Sequence, residues 1–413
     1  MDGNTDHIVV MKFGGTSVAS AEGRRALASR VTAALELGLA PVVVVSAMGR
    51  AGAAYATDTL LGLVEGLPSD DRERDLLATT GELIACVVVA HELRASGVDA
   101  MAFSGAEAGI VTDGVQGDAA VLSVYPARLL EAIRAARVPV VAGFQGLSED
   151  GRLTALGRGG SDTTACALGV ALKAEGVEIY TDVDGVMSAD PRECSGAVVL
   201  ETVSADELFQ MARSGSKVVH TPAAELALSS RIALTVRNTF TDNEGTQVAD
   251  LSTYRPASVA TAVSRVDGVA RLEVALPALE GTPEHMRAQT RVYRAMADAK
   301  ISLDMFTPAG GVLLLTLANS ALGDARTVLD RLGMSYDVRE GLSKVTLVGA
   351  GMHGVPGVMA RVAGYLDTRG VPVLQSADSH TTISVLVAED DAAAAVQALH
   401  DGFELGNGRE SSA

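Results

Sequence analysis

The chain has no tryptophan, and only seven phenylalanines and seven tyrosines in 413 residues. So few aromatics leave no platform on which bases could stack. Positive charge is also scarce, with 33 Lys and Arg against 51 Asp and Glu and a formal charge of −18. Such a surface repels nucleic acid and anionic membranes, so neither is expected as a partner. Any bound phosphate must then be held by local cationic sites. The three cysteines, Cys86, Cys166 and Cys194, lack metal-ligand spacing and read as reduced thiols. Apolar runs such as 41–45 and 84–90 are far too short to cross a bilayer. The opening Met1-Asp2-Gly3-Asn4-Thr5-Asp6 has no basic stretch followed by an apolar one, so no signal peptide is expected and the cytoplasm is the expected location. No Gly-x-x-x-x-Gly-Lys-Ser/Thr run occurs, which excludes a P-loop NTPase. The first strand is not followed by Gly-x-Gly-x-x-Gly, which weighs against a dinucleotide-binding dehydrogenase.

What is present is 48% apolar and 20% charged residues, the balance of a globular protein, over a length that suggests two or three domains. From residue 8 to about 240, apolar β-rich runs at 42–45, 99–103, 138–142, 178–181 and 233–237 alternate with amphipathic helices at 72–95, 126–136, 161–174 and 204–213. That alternation predicts an α/β sandwich with helices on both faces of a mostly parallel sheet. Ligands then belong at the carboxyl ends of the strands.

Two glycine elements fall at such ends. The first is Lys12-Phe13-Gly14-Gly15-Thr16-Ser17, entered from the apolar run at residues 7–11 and left through a helix that Ser20 is expected to cap. Glycines remove the side chains that keep an anion from backbone N–H groups, and the lysine adds a full positive charge. A glycine pair alone is more often a tight strand–helix turn. The lysine, the two hydroxyls and a second element, Leu156-Gly157-Arg158-Gly159-Gly160-Ser161-Asp162-Thr163-Thr164, favour the anion site. In the second element a helix starts at Ser161 or Asp162, and Arg158 can clamp a carboxylate in bidentate fashion. Tyr180-Thr181-Asp182-Val183-Asp184-Gly185 follows a strand, which taken alone is common turn chemistry, and Gly215-Ser216-Lys217 offers another cation.

A polar, turn-rich stretch at 241–258 marks a boundary. Beyond it, segments repeat at a constant offset of seventy residues: Ile301-Ser302-Leu303 on Val371-Pro372-Val373, 312–317 on 382–387, and 321–332 on 391–402. Each copy reads βαββαβ, a ferredoxin-like unit that gains by pairing with a neighbour. Paired small-molecule sensors and a purely structural duplication are both compatible with this pattern.

Together with Gly81-Glu82 and Gly143-Phe144-Gln145-Gly146, these motifs resemble aspartokinase, of the amino-acid kinase superfamily, over essentially the whole chain. Gly354-Val355-Pro356-Gly357 and the stretch 374–382 resemble the diaminopimelate-sensitive isoenzyme of Bacillus-type bacteria. The resemblance implies a three-layer αβα amino-acid kinase sandwich over 1–247, with ACT domains at 258–343 and 344–413. It implies transfer of phosphate from ATP to L-aspartate, with Mg2+ carried in by ATP and no dedicated metal ligands. Lys12 would stabilise the transferring phosphoryl group, oriented by Asp162. Ser46, Thr57, Glu82, Arg158, Gly159, Gly160 and Ser161 would hold aspartate, with Glu82 on its ammonium. Lys12, Phe13, Gly14, Gly15, Thr16, Ser17, Ser161, Thr181, Asp182, Met187, Ser188, Ala189, Asp190, Pro191, Arg192 and Lys217 would hold ATP. Asp304, Met305, Phe306, Val355, Pro356, Gln375, Ser376, Asp378 and Ser379 would receive an amino-acid effector, and the chain would pair as a homodimer. Two departures stand out. Lys217-Val218-Val219-His220-Thr221-Pro222 lacks the arginine that often follows in the family, and Asp304-Met305-Phe306-Thr307-Pro308 lacks its usual asparagine. A kinase of another carboxylate, such as a modified aspartate, and a non-catalytic amino-acid sensor are the competing functions.

Overall fold

The computed structural model describes residues 7–68, 70–216, 218–249, 254, 258–277 and 281–406. Two compact units make up the chain. One comprises residues up to 187 with 199–213 and 217–255, the other 188–198, 214–216 and 256 onward.

The first unit opens with β1 (Ile8–Phe13), α1 (Gly15–Ala19) and α2 (Ala21–Glu36). Ser20 caps α2 as expected, its hydroxyl accepting from Gly23 N at 3.0 Å. Then come β2 (Ala40–Val45), α3 (Thr57–Gly62), α4 (Asp71–Ala95), β3 (Ala100–Phe103), β4 (Ile110–Thr112) and β5 (Val121–Val124). They are followed by α5 (Ala127–Arg134), β6 (Val138–Ala142), β7 (Gln145–Ser148), β8 (Leu153–Ala155), α6 (Gly160–Leu172) and β9 (Gly176–Thr181). The unit closes with β10 (Thr202–Ser204), α7 (Ala205–Arg213), α8 (Thr221–Ser230), β11 (Leu234–Asn238) and β12 (Thr246–Ala249).

Eight strands form one sheet in the order β10-β12-β11-β9-β1-β2-β6-β3. It is parallel from β11 to β3, while β12 runs antiparallel to β11 and β10 parallel to β12. Side chains of a strand alternate between faces. Val9, Met11 and Phe13 of β1 therefore share one core with Leu27 and Val31 of α2 and with Ala85, Val89 and Leu93 of α4. Val10 and Lys12 face the opposite side, where α6 packs on β1. This alternation delivers the lysine to the glycine-capped helix.

A second sheet, β5-β4-β7-β8, was not foreseen from the hydrophobic pattern. Its β7–β8 hairpin turns over Asp150-Gly151, with Gly151 N donating to Ser148 O. Asp75 of α4 anchors this sheet: its buried carboxylate accepts from Gly117 N at 3.0 Å and Ala155 N at 2.9 Å. Burial raises its pKa, against the pull of those two donors. By length and composition α4 could also cross a membrane, a longer apolar stretch than the short runs noted in the sequence. Half of that window is buried, and its buried face carries Asp75 and Glu82 among the core residues.

The second unit contains β13 (Ala262–Ala275), α9 (Pro283–Asp298), β14 (Phe306–Ala309), β15 (Val312–Ala318) and α10 (Leu322–Leu332). It continues with β16 (Tyr336–Val348), α11 (Val358–Thr368), β17 (Gln375–Asp378), β18 (Thr382–Ala388) and α12 (Ala392–Gly402). The seventy-residue repeat holds at both ends of β15 and β18 and of α10 and α12. Beyond Ile301-Ser302-Leu303 and Val371-Pro372-Val373 the strands start later, at Phe306 and Gln375.

The copies are not consecutive, however. All six strands form one sheet, β14-β15-β13-β16-β18-β17. The second half of β13 pairs with β15, whereas Ala262–Val266 pairs with Lys344–Val348 of β16. The fourth strand of the second copy thus lies ahead of the first copy in sequence. Among the described residues no strand follows α12 to fill that place. Each copy keeps its own core, one around Leu272, Val292 and Leu315, the other around Val263, Leu347, Val385 and Leu399.

Val263→Asp tests this exchange by placing a charge in the second copy's core from a position before the first copy. Hydrogen exchange should accelerate across α11, β18 and α12 and leave α9 and α10 protected.

Candidate active site

The carboxyl ends of β1, β2 and β9 converge on the first glycine turn. Gly14 N donates to Tyr180 O at 3.0 Å, Ser46 N to Phe13 O at 3.2 Å, and Gly49 N to Gly15 O at 3.0 Å. A Cβ on Gly15 would lie 2.7 Å from Ala47 O and 2.8 Å from Gly49 O, so only glycine lets the two loops meet this closely. Beneath the turn, the rings of Phe13 and Tyr180 stack with centroids 4.6 Å apart. Gly14, Gly15 and Thr16 remain half-buried and reachable. Ser17 is different: its side chain is fully buried, with its hydroxyl 2.7 Å from that of Thr239.

Lys12 Nζ lies 2.5 Å from Asp162 Oδ1, at the first turn of α6. That helix starts from Gly159 in a left-handed N-cap, one residue earlier than the sequence suggested. The lysine is 9% exposed and the aspartate 2%. A buried pair of this kind is a fixed charge whose direction cannot wander, because separating the ions would leave each unpaired in a poorly solvating site.

Beside the turn stands Glu82 of α4, 3% exposed and accepting from Ala47 N at 3.1 Å. A Cβ on the preceding Gly81 would lie 2.6 Å from Tyr55 O, so glycine lets α4 press against the loop after β2. Burial pushes the Glu82 carboxyl up to about 7, against the pull of Ala47 N–H and the Thr57 hydroxyl. Thr57 and Glu82 therefore meet beside the loop that begins at Ser46. Ser161 is buried, whereas Arg158 is exposed and bonded to no other described residue.

Thr181 ends β9, and Asp182, just after it, accepts through Oδ2 from Arg50 Nη2 at 2.6 Å. Arg50 and Thr239 escaped the sequence reading. Thr239 could have been found from its place just past the run at 233–237, at a strand's carboxyl end, while Arg50 offers no motif. The Met187-to-Arg192 stretch is not one body. Met187 bridges to Val199 in the first unit, and Ser188–Val198 belongs to the second. There Ser188 O accepts from Val263 N, Ser188 Oγ lies 2.9 Å from His400 Nε2, and Ala189 and Cys194 join the core around Leu399. Lys217 lies outside the described residues. Among the described residues no three His, Cys, Asp or Glu side chains cluster as metal ligands.

The expected effector residues fall at two places in the second unit. Asp304, expected to offer a free anion, is taken by the buried Lys344 ammonium. Met305 is buried, its N–H donating to Thr316 Oγ1, and Phe306 lies exposed on β14. Gln375 turns inward, its Nε2 3.2 Å from Thr307 Oγ1. Val355, Pro356, Ser376, Asp378 and Ser379 are exposed, with Ser379 bonded to Thr382.

Comparison with known proteins agrees with this architecture. The profile described as "Amino acid kinase family" matches residues 7–238, and an "ACT domain" profile matches 337–401. An amino-acid kinase unit joined to an ACT unit is the class that the fold and site define. Aspartokinase 1 of Bacillus subtilis is 42% identical, over 96% of this chain and 99% of its own. Escherichia coli aspartokinase III in complex with aspartate and ADP (R-state) superposes with a TM-score of 0.82 at 26% identity, covering 96% of this chain and all of its own. The same enzyme in complex with lysine and aspartate (T-state) gives 0.74 at 27% identity, covering 96% of this chain and 99% of its own. The chain belongs to the aspartokinase family.

Asp162→Ala should destabilise the first unit by about 3–5 kcal/mol, because it strands the Lys12 ammonium. Lys12→Ala combined with it should recover part of that loss in a denaturant titration.

Proposed function

We propose that the chain phosphorylates the side-chain carboxylate of L-aspartate with ATP, giving 4-phospho-L-aspartate, under control of its ACT unit. The observation that carries this reading is the Lys12–Asp162 pair buried beside a glycine turn in which the Gly15 and Thr16 N–H groups bond no described residue.

A carboxylate with a reference pKa of about 4 is already ionised at neutral pH and needs no general base. The obstacle is the approach of two anions, and the remedy is fixed positive charge with oriented N–H groups. ATP, when bound, supplies the phosphoryl group. Lys12 holds its charge at the end of β1, aligned by Asp162. The Gly15 and Thr16 N–H groups, at the start of α1, donate to no described residue and are available to phosphate oxygens. Phe13, Gly14, Thr181 and Asp182 frame the same turn, and Met187 and Lys217 complete the nucleotide assignment. Glu82 receives the substrate ammonium. Arg158, a cation with no partner among the described residues, receives a carboxylate, with Ser46, Thr57, Gly159, Gly160 and Ser161 around it. Mg2+ arrives with the nucleotide.

The enzyme works in the cytoplasm, where ATP and aspartate are supplied. The catalytic portion is the first unit, and the two ACT copies lie within the second, with Ala262–Val266 serving the second copy. The chain pairs as a homodimer through the open edges of its ACT sheet. Lysine or meso-diaminopimelate is the inhibitor, held by Val355, Pro356, Gln375, Ser376, Asp378 and Ser379, with Asp304, Met305 and Phe306 in the other copy. A hydroxamate-coupled ATP assay over aspartate, glutamate and related acids, with and without lysine, threonine and diaminopimelate, tests substrate and effector together. Turnover of glutamate in preference to aspartate overturns the substrate.

Lys12→Ala should cut kcat at least a few hundredfold, the roughly 3–4 kcal/mol typical of a transition-state charge stabiliser. Activity within a few fold of the parent assigns the lysine to structure.

The Glu82 carboxyl binds an ammonium only when ionised. The KM for aspartate should therefore rise as pH falls through about 7, and level off above it. Glu82→Gln should raise that KM at pH 8 and flatten the profile.

A further inference from the structure

Ser17 and Thr239 are 222 residues apart in sequence, yet their hydroxyls meet at 2.7 Å in a site that water does not reach. Ser17 is 0% and Thr239 1% exposed. Thr239 follows β11, whose Asn238 is in register with Thr181 of β9. Its N–H donates to Thr181 O at 2.9 Å. One residue earlier, Asn238 Nδ2 donates to Asp184 Oδ1 at 2.7 Å, and Thr241 Oγ1 donates to the same oxygen at 2.9 Å. The end of β11 thus grips both loops assigned to the nucleotide, the glycine turn through Ser17 and the β9 loop through Thr181 and Asp184. None of Ser46, Thr57, Glu82, Arg158 or Ser161 bonds to it.

We infer that Thr239 is a positioning residue for the nucleotide: its hydroxyl fixes the Gly14–Gly15 turn, through Ser17, at the spacing from the Thr181 loop that polyphosphate binding requires. This rests on the reading of those loops as the ATP site. A buried hydroxyl that loses its partner costs about as much as a tenfold change in an equilibrium constant. Its natural outlet here is a shift of α1 and the turn ahead of it.

The test is Thr239→Val, which keeps the shape and removes the hydroxyl, with Thr239→Ser as the conservative variant. In the full-length enzyme Thr239→Val should raise the KM for ATP, and the Kd for MgADP by calorimetry, about tenfold. The KM for aspartate should stay within about twofold, since its assigned ligands lie outside the contact. Thr239→Ser should restore the parent values. Ser17→Ala should reproduce the rise, and the double variant should be no worse than either single one, because both remove the same bond. A fall in melting temperature with the KM for ATP unchanged overturns the inference, as does an equal rise in both KM values or failure of serine to rescue. If the unmodified enzyme does not bind MgADP, the ATP assignment itself falls, and the inference with it.

Discussion

The pairing of Lys12 with Asp162 is the constraint around which the first unit is arranged. A lysine on a central strand has no place in a buried sheet unless an anion meets it, since an unpaired charge there is far costlier than any single packing contact. The anion comes from the first turn of α6, so α6 must lie on that face of β1 and begin at that height. The glycines around it follow. Gly159 starts the helix in a left-handed conformation, and Gly15 lets the loop after β2 close over the turn. What results is a positive charge held rigid at the carboxyl edge of a parallel sheet, where three strand ends meet and the Gly15 and Thr16 N–H groups bond no described residue.

How much of this is legible in the sequence depends on how local each signal is. The strand–helix alternation of the first unit reads directly because each element buries its own apolar stripe. The two glycine elements read equally well, for their spacing along the chain is the geometry of a strand-to-helix turn, whereas the pairing of Lys12 with Asp162 came only from the family resemblance. The second sheet was missed because β4, β7 and β8 are three or four residues long, too short for a period to show. Its one clear signal was Asp150-Gly151, a hairpin dipeptide. Thr239 and Arg50 act across the sheet, and a bond between residues 222 positions apart leaves no local trace.

The second unit shows the opposite case, a pattern easy to see and wrongly connected. The seventy-residue repeat is real to the residue in β15 and β18, but periodicity reports which segments are alike, not which ones pair. Only the ladder shows that β13 serves both copies, breaking register between Val266 and Val269 as it passes from one to the other. Arg265 and Ser343 both bond Asp267 at that break. Assigned effector residues divide in the same way. Asp304 and Gln375 are spent inside the unit on Lys344 and Thr307, leaving the exposed group on β17 and the loop before α11 open to solvent.

The shared strand also sets an order of events during synthesis. On a ribosome, Ala262–Val266 emerges well before Lys344–Val348, the segment it must pair with. The whole first copy is made in between and can close on itself, since the second half of β13, β14, β15 and the start of β16 are then all present. The early strand waits with unsatisfied edge groups until the second copy has been translated. Contacts of such long sequence separation are slow to form and leave apolar β-structure exposed in the meantime. A nascent chain halted within β16, after Glu340, would therefore carry a finished domain and, ahead of it, a strand with no sheet to join.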